Sequence, residues 1–290
     1  KKSNNHKEKI YLYHFFLDHR LGGQHAYTKT IINEILKYQV FTYKIITTKK
    51  GELTDIPLIN LRHFWFGLYP IEVIINTILI LVFVFHSKIK RHNSIFHIHG
   101  AANIAPVFAA SFLKIPIVWH FHETVSTFLP LVKAGKYFLT RTKHRLVTVT
   151  EKAIEVYQLN EADIISSPVD SNYWRHPFKN SSSYLNNNVF KIVCTANLNP
   201  LKGQDVLLKS IFDFKGKWEL LLIGAKLKTH RKYYHSLIKT AIEVQRINPD
   251  CEIHFLDWQT KEQIRNYLEK CDVFILPSRS EACPIALLEA

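Results

Sequence analysis

The 290 residues are 47% apolar and 21% charged, which excludes a disordered or low-complexity chain and leaves room for two domains. Four cysteines (Cys194, Cys251, Cys271, Cys283) fall in the second half without C-x-x-C spacing, so no disulfide framework is implied and a cytoplasmic chain is expected. The formal charge of +14 is uneven: residues 1–175 hold 22 Lys and Arg against 12 Asp and Glu, and the rest hold 16 against 12. Such a basic half attracts anionic lipid or phosphorylated ligands, and it also serves solubility. No RNP, zinc-finger or helix-turn-helix pattern occurs, so nucleic acid is not an expected partner.

In chain order, residues 9–17 (KIYLYHFFL) read as a first strand. The turn 18–23 (DHRLGG) follows, and then a helix over 24–38 with apolar spacing at Ile31, Ile32, Ile35 and Leu36. Strand, Gly-Gly turn and helix open a nucleotide-type α/β domain, and glycines there allow close backbone approach to a ligand. Further strands are expected over 43–48, 94–98, 116–121, 146–150 and 163–166. Helices fall between most of them, over 71–90, 104–113 and 151–158. The alternation argues for a parallel sheet with both faces covered, whose ligands bind at the carboxyl ends of the strands.

The longest apolar run, residues 71–85 (IEVIINTILILVFVF), is short for a bilayer span and carries Glu72 and Asn76. A helix buried against the sheet is the expectation. No signal-peptide pattern precedes the first strand. The absence of methionine, and an ending inside a helical pattern, point to a fragment clipped slightly at the front and substantially at the back.

Histidines crowd two strand ends, as FHIHG (96–100) and WHFHE (119–123). Alternation puts His97 with His99 on one face, and His120 with His122 likewise. Four histidines and Glu123 have the chemistry of a zinc site. Two H-x-H pairs on separate strands match no recognised ligand framework, however. Structural histidines bonding backbone are therefore expected.

The Asn- and Ser-rich run 179–188 reads as a surface linker, giving domains at 1–175 and 189–290 joined by 176–188. The second domain opens with a strand over 189–196, the loop NLNPLKG (197–203) and a helix from Gln204. Lys202, just ahead of a helix, suits a diphosphate. Strands at 219–224, 252–256 and 272–276 alternate with helices at 231–248 and 261–270. Trp258, in the loop after one strand, either packs or stacks on a base. The last strand ends in Pro277-Ser278, and Pro284 then suits the first position of a helix. Glu281 falls in the turn, and Glu289 about two turns further on.

Two glutamates seven residues apart after an apolar strand ending in Pro-Ser resemble the signature of retaining glycosyltransferases of family four. The order of Gly22-Gly23, His122 in FHE, the Lys202-Gly203 loop and Glu281/Glu289 extends that resemblance over the whole chain. It implies a GT-B fold, α/β with two Rossmann-like domains facing across a cleft, the second incomplete. It also implies transfer of a sugar from a nucleotide diphosphate-sugar to a glycan or lipid-linked acceptor. By the same resemblance His122 and Glu281 are catalytic: His122 orients the donor sugar and Glu281 holds its hydroxyls. The donor-binding set would be Gly22, Gly23, Asn197, Lys202, Gly224, Trp258, Ala282, Cys283, Pro284, Ile285 and Glu289.

This sequence departs from the pattern in two places. Asn197 stands where relatives carry a second phosphate-binding cation, an arginine. Ser167-Pro168-Val169-Asp170 replaces the usual Pro-Asn-Gly-Val-Asp between domains. No metal or other cofactor is expected for the diphosphate, since no D-x-D motif occurs. An anionic membrane, at the inner face of the plasma membrane, is a possible partner. The competing functions are a GT-B sugar-nucleotide epimerase and an inactive binding module.

Overall fold

The computed structural model describes residues 10–16, 23–38, 41–48, 55–58, 69–86, 93–175 and 189–290. The chain divides into two compact units, Lys1–Pro168 and Val169–Ala290. The segment 169–175 thus groups with the second unit. Its Tyr173 and Trp174 rings lie under Lys261 Nζ, at 4.0 and 5.2 Å from the centroids, a cation–π clasp inside that unit.

In the first unit β1 (Ile10–Phe16) is flanked on one side by β2 (Phe41–Thr47) and the short β3 (Ile56–Pro57). On the other side lie β4 (Ser94–His99), β5 (Ile117–Phe121), β6 (His144–Thr148) and β7 (Asp163–Ile164). Every pairing is parallel. The order β3-β2-β1-β4-β5-β6-β7 reverses direction between β1 and β4, the place where ligands of open α/β sheets bind. The helices are α1 (Gly23–Leu36), α2 (Tyr69–His86), α3 (Ala105–Leu113), α4 (Leu129–Leu139) and α5 (Glu151–Tyr157). Tyr13, Phe15, Ile46, Phe96, Ile98, Ile117, Trp119, Phe121 and Leu146 form the sheet's share of the core. Pro106 and Pro130 sit in the first turns of α3 and α4, where a missing N–H costs little.

Helix α2 is 18 residues long and apolar enough, by length and composition, to cross a membrane. The sequence suggests a helix buried against the sheet, and it is one face of this helix that is buried. One face packs inward through Val73, Thr77, Ile80 and Val84, and Thr77 Oγ1 donates to the Val73 carbonyl at 2.7 Å. Glu72 and Asn76 also lie on that buried face. The opposite face leaves Ile71, Ile74, Ile78, Val82 and Phe85 exposed at helical spacing.

The second unit begins with α6 (Ser171–Trp174), which Asp170 caps by accepting the Tyr173 N–H at 3.1 Å. Its sheet comprises β8 (Phe190–Thr195), β9 (Trp218–Ile223), β10 (Cys251–Leu256) and β11 (Val273–Phe274), in the order β10-β9-β8-β11, all parallel. Helices α7 (Gln204–Ser210), α8 (Arg231–Ile247), α9 (Lys261–Leu268) and α10 (Ile285–Glu289) connect or follow them. Thr260 and Gln263 close a capping box at the start of α9. Here the strand order reverses between β8 and β11.

Candidate functional site

In the second unit the loops after β8 and β11 meet at that reversal. The loop after β8 closes in a 3₁₀ turn, Pro200–Lys202, and passes into α7 through Gly203 at φ +69°. A Cβ on Gly203 would lie 2.0 Å from the Pro277 carbonyl oxygen, so only glycine lets the two loops approach this closely. Gly224, after β9, is held in the same way: its Cβ would lie 2.1 Å from the Ala196 carbonyl oxygen.

Lys202 Nζ lies 2.6 Å from Glu281 Oε1, and Ser278 Oγ donates to the same oxygen at 2.6 Å. The residues expected at the phosphates and at the sugar are therefore paired with each other. Beneath them Cys194 is buried, and burial pushes its thiol up to about 12 while the Lys202 charge pulls the other way. At neutral pH that cysteine is a packed thiol rather than a nucleophile.

A second network, not foreseen from the sequence, locks the loops together. The Arg279 N–H donates to the Leu201 carbonyl at 2.8 Å, and Nη1 donates to the Pro200 carbonyl at 2.6 Å. The guanidinium also takes Asp205, in the first turn of α7, by two bonds of 2.8 and 2.7 Å. Tyr233 OH donates to Asp205 Oδ1 at 2.8 Å. The Arg279 hydrogen bonds, helped by Tyr233, hold the Asp205 carboxyl down at about 2. The only signal was an arginine two residues before Glu281, which no periodicity marks.

Asn197, standing where a cation was expected, is used for folding. Its Oδ1 accepts the Ala225 N–H at 3.4 Å, and its carbonyl accepts from Gln204 Nε2 at 3.2 Å. In this arrangement the Arg279 guanidinium is turned onto Pro200 and Asp205. Trp258 follows β10 and is 50% exposed, so it is not a core-packing tryptophan.

Pro284 stands one residue ahead of α10, as its N-cap, and not at the first helical position. The Ile285 N–H turns onto the Cys283 carbonyl at 2.9 Å, so it is not presented to a ligand in this conformation. Ala282, Cys283, Pro284 and Ile285 are all partly buried. Glu289 ends α10, partly buried; burial raises its carboxyl pKa, and the Lys261 charge opposes the rise.

In the first unit Gly22 lies outside the described residues, and Gly23 is the first residue of α1. His122 immediately follows β5. The rings of His99, His120 and His122 bond other rings and a hydroxyl, which corrects the expectation of backbone-bonded structural histidines. His99 Nδ1 lies 3.0 Å from His122 Nε2, His99 Nε2 lies 3.2 Å from His14 Nδ1, and Tyr27 OH lies 2.9 Å from His120 Nδ1. Burial is the first cause of low basicity in all of them. It depresses His97 and His99 well below the usual imidazole range, with neighbouring histidines adding to the effect. It brings His120, with help from His122, to about 2 and His122 to about 4. Glu123 is tied back, accepting the Ala101 N–H at 3.2 Å.

Residues 189–290 match the family model described as glycosyl transferases group 1. A search of curated protein sequences finds no match. Among solved structures, HepE of Anabaena in complex with UDP and glucose is similar with a TM-score of 0.73 at 14% identity, covering 97% of this chain and 78% of that one. Sucrose-phosphate synthase from Thermosynechococcus elongatus has a TM-score of 0.68 at 15% identity, covering 97% and 78%. The lipopolysaccharide outer core galactosyltransferase WaaB in its apo form has 0.60 at 14%, covering 97% and 77%. At such identities the likeness is one of fold. That fold is GT-B, two parallel α/β units, and the similarity to glycosyl transferases group 1 lies in residues 189–290.

Proposed function

We propose that this protein is a retaining, family-four-like glycosyltransferase that moves a sugar from a nucleotide diphosphate-sugar to a glycan or lipid-linked acceptor. Cell-surface polysaccharide or glycolipid synthesis is the proposed setting. The observation that carries the reading is the meeting of Lys202 and Glu281 at the strand-order reversal of the second sheet, in loops pinned by Gly203 and Arg279. An ammonium next to a carboxylate suits a ligand that places phosphate and sugar hydroxyls side by side. The structures similar to this chain include complexes with UDP and with UDP-glucose, which supports a uridine diphosphate sugar as first candidate.

In this reading Lys202 stabilises the departing diphosphate from the loop after β8. Glu281 accepts from sugar hydroxyls, Glu289 holds the ribose, and Trp258 stacks on the base. His122, neutral at pH 7, orients the sugar near the reacting carbon. The diphosphate needs no metal in this scheme, because Lys202 supplies the charge and no D-x-D motif exists to hold one.

Nucleotide sugars tested by thermal shift should single out one donor, with stabilisation of about 2.7 kcal/mol at a hundredfold excess over Kd. Turnover with an acceptor should then give a product whose anomeric configuration, read by NMR, matches the donor. An epimerised sugar nucleotide would favour the epimerase, and binding without turnover would favour the binding module. No shift with any nucleotide sugar would remove the reading altogether.

Docking on an anionic membrane, at the inner face of the plasma membrane, is proposed from two features of the first unit. Its sequence is strongly basic, and the outer face of α2 is apolar from Ile71 to Phe85. Vesicle co-sedimentation should rise with anionic lipid content and fall with added salt. Equal binding to neutral and anionic vesicles, or none to either, would count against it.

A further inference from the structure

One face of the first sheet carries a histidine cluster of which the proposed sugar transfer uses only His122. Parallel register sets His14 opposite His97 across β1 and β4, and His99 opposite His120 across β4 and β5. Because side chains alternate along a strand, each H-x-H pair presents both imidazoles on the same side. Ring nitrogens from His99, His120 and His122, one from each, all lie within 4.8 Å of one another. Tetrahedral zinc at about 2.0–2.1 Å from its nitrogen ligands sets those ligands roughly 3.3 Å apart. The 3.0 Å between His99 Nδ1 and His122 Nε2 is already close to that edge.

The other nitrogens are arranged as the outer shell of a metal site would require. Tyr27 OH holds His120 Nδ1 at 2.9 Å, and His120 Nε2 is buried with no hydrogen-bond partner. His14 Nδ1 holds His99 Nε2 at 3.2 Å, leaving Nδ1 as the ligand atom. Fixing the remote nitrogen in this way sets the tautomer and aims the ligand nitrogen. A buried imidazole nitrogen without a partner is costly, and a cation is one way to satisfy it. A second group, His14, His97 and His99, is fully buried, whereas His122 is partly exposed and gives an ion a way in.

We propose that His99, His120 and His122 bind one borderline divalent transition-metal ion, zinc foremost, leaving a fourth position open to water or an oxygen ligand. Imidazole ligands suit zinc, copper and nickel and disfavour magnesium and calcium. The donor set contains no carboxylate, since Glu123 is turned onto the Ala101 amide. Because His122 is also assigned to the donor sugar, the test reads the ion itself and not activity.

The untagged full chain, stripped with chelator, would be titrated with zinc chloride by calorimetry and with cobalt chloride by visible absorption. One ion per chain is expected, with the visible bands of four- or five-coordinate cobalt. His99→Asn and His120→Asn should abolish it. Tyr27→Phe, which keeps all three ligands, should weaken zinc binding by about 10- to 100-fold. His254→Asn should leave it unchanged, since that histidine sits in the second unit beside Glu252. Failure of the wild-type chain to take up a stoichiometric ion overturns the proposal. So does unaltered zinc affinity in folded His120→Asn or Tyr27→Phe protein.

Discussion

Glu281→Ala is expected to lower sugar transfer by about 10²-fold or more, while binding of free nucleoside diphosphate becomes tighter. The first effect follows if contact with the sugar hydroxyls strengthens as the glycosidic bond breaks. The second follows from the ligand-free geometry. Glu281 Oε1 is 2.6 Å from Lys202 Nζ, so the carboxylate competes with phosphate for the ammonium. A partly exposed pair of this kind is worth about 1 kcal/mol, or roughly fivefold in Kd once released. Lys202→Ala should act in the opposite sense, loosening the diphosphate by about 1.5–3 kcal/mol. Glu289→Ala should loosen nucleoside diphosphate and nucleotide sugar alike, since a ribose contact serves both. Calorimetry with the diphosphate, beside transfer kinetics with the sugar nucleotide, separates these outcomes. Full transfer activity in both glutamate variants would dismiss their assigned roles. Loss of thermal stability alone would make the pair structural.

Most strands of both sheets were legible because they are short apolar runs ended by turns, and most helices keep a clear apolar period. The reading went astray where periodicity is mute. α4 carries Pro130 and Gly135, which disguise a helical pattern. β3 is two residues long and contains a proline. α2 is apolar on both faces, so composition could not say that only one face would be buried. At the candidate site, Lys202 and Glu281 were legible singly, but their pairing depends on loops 79 residues apart. The Arg279–Asp205 bridge depends on the same approach, 74 residues apart. Asn197 shows the limit of reading by residue type: the departure at that position was visible, and its use as a link between the β8 and β9 loops was not. Alternation correctly put each H-x-H pair on one face. Register across β1, β4 and β5, which no single strand encodes, brought those pairs into one cluster.

That cluster should make the metal-free first unit acid-labile well above the pH at which carboxylates titrate. His97, His99 and His120 are buried against one another, beside His14, His122 and the Tyr27 hydroxyl, and all three resist protonation in the fold. In the unfolded chain each has an ordinary pKa near 6.5. Above that pH both states are neutral at these rings, so the rings contribute nothing to the pH dependence. Below it the unfolded chain binds protons that the folded chain refuses, and stability falls by about 1.4 kcal/mol per pH unit for each ring. The fall continues down to the folded pKa, about 2 for His120, while His122 joins the loss only until about 4. By pH 5 the His120 ring alone removes roughly 2 kcal/mol, and His97 and His99, depressed by burial in the same direction, add to the loss. Urea unfolding in chelator, followed by circular dichroism from pH 7.5 to 5, should show this decline. His97→Asn, at a ring outside the proposed ligand set, should flatten the slope by about one proton's share. A stability that stays level over that range would mean that the rings are hydrated and titrate normally, and the packed cluster would have to be abandoned.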